Sequence, residues 1–184
     1  MIKTPAHPDI LQAVARTGAI LAQEGYNGPV RLVIAGGVAG LLSGLTRATL
    51  DCDVLSCSDD DQWERIENAA REAAAELDLP ETWLNRECSI YANDFPLGWQ
   101  DRTEPVDRFG PLDVHRVSRK DWIAAKLVSS LKRPQDIADI RELKPTAEEL
   151  SFAEEHLDRL TAEHLDGHDY ASQRAILQSI RSQP

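Results

Sequence analysis

The chain has 184 residues, enough for one packed domain or for a core domain with an appended helical lobe. Its 42% of hydrophobic residues excludes global disorder, and its net charge of −11 argues against a general nucleic-acid binder, because phosphate requires a basic surface. The three cysteines are too few for a disulfide framework, and neither a signal-peptide core nor a membrane-length apolar run is present, so we expect a cytoplasmic protein without membrane contact.

The first half of the chain predicts alternating helices and strands. Helical spacing of apolar residues, β-branched runs and turn residues identify the elements. In chain order we predict a helix over Ile10–Gly25, a buried strand over Val30–Ala35, a short helix over Val38–Leu45, a strand over Thr49–Leu55, and a long helix that ends near Leu79 and is opened by a capping box of Ser58 and Asp61.

The second half predicts one further strand and then only helices. Residues 80–111 are rich in turn formers, and we expect them to be irregular. After them we predict a strand over Leu112–Val117, a helix over Arg119–Leu131 capped by Ser118 and Asp121, a helix over Pro134–Leu143, a helix running past Leu160 and capped by Thr146 and Glu149, and a last helix over Tyr170–Arg181. The predicted organisation is an α/β core over 1–117 and a helical region over 118–184 that completes the same unit.

Two aspartates, Asp51 and Asp53, lie one residue apart in the predicted strand Thr49–Leu55. Alternate side chains of a strand point to the same face, so the two carboxylates share a face, with Cys52 and Val54 towards the core. The repulsion between the carboxylates favours a divalent cation, and oxygen ligands without histidine or cysteine suit Mg²⁺ or Mn²⁺. The alternative is a solvated edge strand with incidental acids.

A glycine pair, Gly36 and Gly37, stands between a predicted strand and a predicted helix, upstream of the aspartates. Glycines let backbone N–H groups approach a phosphate, and the start of a helix adds a favourable dipole. The segment is neither a P-loop nor a dinucleotide-binding fingerprint. A phosphate cradle beside a carboxylate pair describes a nucleotide–metal site.

Two segments resemble a known family. The stretch AGGVAGLLSGLTRATLDCDV resembles the signature of the DNA polymerase β-like nucleotidyltransferase superfamily, in which a Gly-Gly or Gly-Ser pair precedes Asp-x-Asp. The stretch DWIAAKLVSSLKRPQDIADIREL resembles the helical segment of the abortive-infection (AbiEii-type) nucleotidyltransferase toxins and their uncharacterised bacterial relatives. Its matching positions, a lysine, an arginine and a D-x-x-D pair, are Lys126, Arg133, Asp136 and Asp139.

The resemblance implies a mixed sheet flanked by helices and followed by a helical C-terminal region. It implies that Gly36 and Gly37 cradle the triphosphate of a nucleoside triphosphate, and that Asp51 and Asp53 hold the metal. It also implies that Lys126 faces the phosphates and that Asp136 acts near the acceptor or the metal.

Three positions around this site are less determined. Asp113 in Leu112–Val117 has the setting of a third metal carboxylate, although no motif fixes it. Arg47 is either a phosphate contact or a surface arginine. The second glycine departs from the frequent serine of the superfamily, so Gly37 offers only its backbone to phosphate.

The expected function is metal-dependent transfer of a nucleoside monophosphate from a nucleoside triphosphate to an acceptor, with a toxin of a toxin–antitoxin pair as one form of it. The acceptor is open among tRNA, a protein and a small molecule, and an antitoxin protein is an expected partner of the toxin form. The alternative is a catalytically inactive module of the same fold that binds a nucleotide or a partner protein. Residues 102–141 contain nine Lys and Arg but only six Asp and Glu, and this local positive charge indicates either a phosphate-facing surface or a solvated helix face.

Overall fold

A computed structural model describes residues 7–26, 28–49, 51–163 and 169–182. The elements are α1 (His7–Gln23), β1 (Val30–Ile34), α2 (Gly36–Leu42), β2 (Cys52–Cys57), α3 (Trp63–Leu77), β3 (Leu84–Asn85), β4 (Glu104–Phe109), β5 (Leu112–Arg116), α4 (Arg119–Ser129), α5 (Pro134–Leu143), α6 (Ala147–Glu163) and α7 (Ala171–Arg181). Short 3₁₀ helices lie at Asp60–Gln62, Glu87–Asp94 and Trp99–Arg102. No helix within the described ranges is long and apolar enough to cross a membrane.

The chain divides into two compact units. The α/β unit comprises Met1–Ala92 and Gln100–Val117, and the helical unit comprises Asn93–Trp99 and Ser118–Pro184. The division along the chain therefore falls between Val117 and Ser118, and in addition a short segment of the irregular region belongs to the helical unit.

A five-stranded mixed sheet with the order β3-β2-β1-β5-β4 forms the centre of the α/β unit. Strand β1 is antiparallel to β2 and parallel to β5, and β2 is parallel to β3. One face of the sheet packs with α1 and α3 into a core that includes Leu32, Ile34, Cys52, Val54 and Val114. The expected mixed sheet flanked by helices, followed by a helical region, is confirmed.

Helix starts in the helical unit follow the local sequence closely. The Ser118 hydroxyl accepts the backbone N–H of Asp121 at the start of α4. Pro134 occupies the first turn of α5, where its missing N–H costs no hydrogen bond. Before α6, the Thr146 hydroxyl accepts the N–H of Glu149, and the Glu149 carboxylate accepts the N–H of Thr146. The capping box of Thr146 and Glu149, the Ser118 cap of α4 and the proline start are confirmed.

Three local predictions in the α/β unit were wrong. The Ser58 hydroxyl does not cap a helix but accepts the backbone N–H of Arg31, and a 3₁₀ turn precedes α3. Residues 80–111 are not all irregular, because β4 forms there despite Pro105. This strand is the sheet edge, where a missing N–H is tolerated. Strand β2 starts at Cys52 rather than Thr49, and Leu50 of the predicted strand lies outside the described residues.

Candidate active site

Strand β2 presents the Asp-x-Asp pair at its start. Asp53 is the second residue of β2, and its backbone carbonyl accepts the N–H of Ala35 at 2.9 Å. Cys52 and Val54 on either side are fully buried in the core, so the Asp53 side chain lies on the opposite face of the sheet. Asp51 directly precedes the strand and is exposed, whereas Asp53 is half-buried.

The glycine pair at the start of α2 lies directly against these aspartates. Gly36 has φ +56°, and a Cβ built there would be 1.8 Å from the Asp53 Oδ2 atom. A Cβ on Gly37 would be 2.6 Å from the Thr49 Oγ1 atom, and that hydroxyl donates to Asp51 Oδ1 at 2.7 Å. The absence of a side chain at both positions is therefore required by protein contacts alone, and the phosphate cradle stays a prediction.

Thr49 is the site residue without an assigned role in the sequence analysis. Its side chain is buried and links the glycine turn to the Asp51 carboxylate, and so it fixes the direction of that carboxylate. The sequence feature that points to Thr49 is its position two residues before Asp51, because alternate residues of an extended segment lie on the same face.

On the other side of Asp53 lie strand β3 and the turn after it. Asn85 is the register partner of Asp53, so an amide side chain stands next to the carboxylate on the same face. Burial, with a smaller contribution from the Asp53 charge, raises the pKa of the Cys88 thiol to about 12. Burial also raises the pKa of the Cys52 thiol. Both thiols are therefore protonated at neutral pH in the metal-free protein.

Asp113 lies on the same sheet face but towards the other end of the sheet. It is the β5 partner of Arg31, whereas Asp53 is bonded to Ala35, four residues further along the chain from Arg31. At about 3.3 Å per residue the two levels are about 13 Å apart, far beyond the span of one ion's ligands. The Asp113 carboxylate instead accepts a hydrogen bond from Arg31 Nε at 3.3 Å, and the His115 Nε2 atom lies 3.3 Å from its other oxygen. Within the described ranges no group of three His, Cys, Asp or Glu residues could hold a metal.

The helical unit holds the second set of residues that the family resemblance singled out. The Lys126 Nζ atom is 2.5 Å from Asp136 Oδ1 and 3.7 Å from Asp139 Oδ2, and both carboxylates are almost completely buried. The Ser129 hydroxyl donates to the other oxygen of Asp136 at 2.6 Å. The lysine and the acids thus form an ion cluster inside one unit, in which Lys126 neutralises charge that burial would otherwise disfavour.

Arg47 and Arg133, the two arginines that the sequence singled out, are both exposed. Arg47 lies in the irregular segment between α2 and β2, two residues before Thr49, and Arg133 immediately precedes α5. Of the predicted site residues, the structure brings Gly36, Gly37, Asp51 and Asp53 together. It places Asp113 at another level of the sheet, and Lys126 and Asp136 in the other unit.

Comparison with known proteins gives one finding. Residues 16–172 match the family described as "Nucleotidyltransferase of unknown function (DUF6036)", which is more than half of the chain. No curated protein matches the chain, and no solved structure matches it.

Proposed function

Since the chain belongs to this family of nucleotidyltransferases of unknown function, we propose that it transfers a nucleoside monophosphate from a nucleoside triphosphate to an acceptor hydroxyl. We propose in addition that Asp51 and Asp53 hold the divalent cation on which the transfer depends. The observation that carries the proposal is the contact between Gly36 and Asp53, because it builds the start of helix α2 and the carboxylate pair into one site.

The donor set fits Mg²⁺, and Mn²⁺ as its substitute. Mg²⁺ is commonly held by one or two carboxylates, with water and substrate phosphates as the other ligands. Asp53 in strand β2 and Asp51 directly before it supply two carboxylates, and the neighbouring Asn85 supplies a neutral amide. When bound there, the ion would neutralise charge on the phosphate oxygens during transfer.

In the proposed reaction the acceptor oxygen forms a bond to the α-phosphorus. The bond between the α-phosphorus and the bridging oxygen to the β-phosphorus breaks, and pyrophosphate leaves. The hydroxyl proton passes to solvent or to a carboxylate of the site. Asp53 is held between the glycine turn and β3, and Asp51 is held by the Thr49 hydroxyl, so both carboxylates are positioned before substrate binds.

The test is a turnover assay with Mg²⁺ and labelled nucleoside triphosphates that measures pyrophosphate and labelled acceptor. Asp53→Asn should abolish turnover while leaving the circular dichroism spectrum unchanged, because the amide has nearly the same size but binds Mg²⁺ poorly. Asp107→Asn is the matched control, since that exposed aspartate lies on edge strand β4 and should turn over as the wild type does. Equal turnover by Asp53→Asn and wild type would refute the assignment.

A second candidate function is nucleotide binding without catalysis. It is favoured by the place of Asp113, because the residue expected as a third metal carboxylate from its strand setting does not lie at the level of the pair. The same assay separates the two: an inactive module would bind Mg²⁺ with a nucleoside triphosphate and release no pyrophosphate. Asp113→Asn should leave turnover unchanged if two carboxylates suffice.

The acceptor, the toxin role and the location are further parts of the proposal. The toxin role, with an antitoxin protein as partner, is supported by the resemblance of Asp121–Leu143 alone. We expect growth arrest on expression, relieved by Asp53→Asn and by the antitoxin. Transfer of label to tRNA, to protein or to a small molecule would identify the acceptor. A cytoplasmic location is supported by three free cysteines and by the supply of nucleoside triphosphates there.

A further inference from the structure

Two large apolar side chains of the α/β unit are exposed to solvent: Ile90 has 76% of its surface exposed and Tyr91 has 53%. Both lie in the 3₁₀ helix Glu87–Asp94, which follows β3 almost immediately. Adjacent exposed apolar residues are more informative than isolated ones, because a contiguous apolar surface on a soluble unit commonly marks a binding site.

The chain reaches this helix directly from the neighbour of Asp53. Asn85 is the register partner of Asp53, and its Oδ1 atom accepts the N–H of Glu87 at 3.0 Å. The N–H of Ser89 donates to the Arg86 carbonyl at 3.0 Å and closes the first turn. The first turn of the helix therefore lies beside the carboxylate pair.

Tyr91 follows Cys88 by three residues. Residues three apart in a 3₁₀ helix are eclipsed, and each residue advances the helix by about 2.0 Å. The tyrosine is thus on the side of the helix that carries Cys88, about 6 Å further along, or one turn away. The ring is placed near the carboxylates, but not among them.

We infer that Tyr91, flanked by Ile90, is the surface on which the base of a nucleoside triphosphate stacks while the triphosphate lies at Asp51 and Asp53. This inference rests on the proposed function. A ribose separates the base from the α-phosphate, so the base of a nucleotide held at the carboxylates must bind about one sugar away from them. An exposed aromatic ring suits any of the four bases, because each has a π-face.

The experiment is calorimetric titration of the full chain with two probes in Mg²⁺ buffer: each nucleoside triphosphate, and inorganic tripolyphosphate, which has no base. Tyr91→Ala should weaken nucleoside triphosphate binding about tenfold and leave tripolyphosphate binding unchanged. Tyr91→Phe keeps the ring and should bind both probes as the wild type does. Leu131→Ala is the matched control, since Leu131 is 52% exposed and belongs to the helical unit.

A Tyr91→Ala variant that binds nucleoside triphosphates as the wild type does, or that loses both probes equally, would overturn the inference. The variant removes an exposed side chain, so it should fold, and circular dichroism checks this. Asp53→Asn distinguishes this failure from failure of the proposed function. Loss of both probes in Asp53→Asn with no effect of Tyr91→Ala refutes the stacking surface alone. Retention of both probes in Asp53→Asn refutes the metal–phosphate site, and the inference with it.

Discussion

Each unit contains two closely spaced aspartates, and the two pairs differ in how the structure compensates their charge. Asp136 and Asp139 share a helix face, are only 2% and 1% exposed, and have the Lys126 ammonium against them. Asp51 and Asp53 lie at the start of a strand, where Asp51 is exposed and the Thr49 hydroxyl donates to it.

The comparison shows why two pairs of the same residue, aspartate, have different roles. A buried carboxylate pair must bring its own cation, because burial of an uncompensated charge is strongly unfavourable. The pair Asp51 and Asp53, called the edge pair below because it lies where strand β2 begins, has one exposed and one half-buried carboxylate and can take its cation from solvent. The buried pair therefore contributes to the stability of the helical unit, and the edge pair is the one suited to a ligand.

The largest expected effect is that of removing the internal cation. Lys126→Met should lower the free energy of unfolding by about 3 kcal/mol, because two buried carboxylates lose their counterion. Urea unfolding measures this. Lys132→Met is the control, since an exposed lysine should change stability by no more than about 0.5 kcal/mol. Equal destabilisation by the two variants would show that the ion cluster has no structural role.

The next effect concerns the contact that builds the edge site. Gly36→Ala should cost about 2 kcal/mol, because alanine is strained at φ +56° and its Cβ would overlap Asp53 Oδ2. Gly28→Ala has no atom within 4 Å of its new Cβ and should be nearly neutral. Combining Gly36→Ala with Asp53→Ala removes the overlap with Oδ2 and Cγ and leaves only the Cβ of residue 53, at 3.1 Å, so the two costs should not add. Additive costs in the double variant would contradict the contact.

A smaller effect is the pH dependence of stability that a histidine of the helical unit contributes. Burial lowers the pKa of His156 in α6, and its Nε2–H donates to the Asp94 carbonyl while Arg159 lies at Nδ1. The unfolded chain binds the proton more readily, so stability is lost as pH falls through about 6.5 towards the folded pKa. His156→Gln should make the dependence between about pH 7.5 and pH 5 shallower. His115→Gln, in the α/β unit, serves as control, and an unchanged dependence in His156→Gln would contradict the prediction.

Local sequence predicted those features whose determinants lie close together in the chain. The capping residues Ser118 and Thr146 bond to amides three residues away, so the motif contains the whole interaction. Ser58 carries the same signal, but the Arg31 N–H reaches it from the neighbouring strand and competes. Edge strand β4 was missed because its proline is tolerated only at an edge, which is a property of the assembled sheet.

The same distinction applies to the candidate site. Asp51 and Asp53 are two residues apart, so the strand period predicts a shared face; the structure has Asp53 in β2 and Asp51 directly before it. Whether Asp113 reaches them depends on the β1–β5 register, and the position of Asn85 depends on the β2–β3 register. Neither register can be derived from one sequence, because it is set by long-range packing of the strand faces.

The smallest expected effect on the metal-free protein is the most informative about the edge pair. Asp51→Asn removes one of two neighbouring negative charges and keeps an oxygen that can accept the Thr49 hydroxyl, so the melting temperature without metal should stay constant or rise slightly. The matched variant Asp136→Asn should lower stability by about 2 kcal/mol, because it weakens the bond to Lys126 in a buried site.

The stabilisation by ligand separates the two pairs further. With Mg²⁺ and a nucleoside triphosphate at about 100 times the dissociation constant, the free energy of unfolding of the wild type should rise by about 2.7 kcal/mol, a shift in melting temperature of about 5–10 °C for a chain of this size. Asp136→Asn should keep that shift, and Asp51→Asn should lose it. A metal-free loss in Asp51→Asn as large as that in Asp136→Asn would make the edge pair structural, and the difference between the two pairs would then lie only in their exposure.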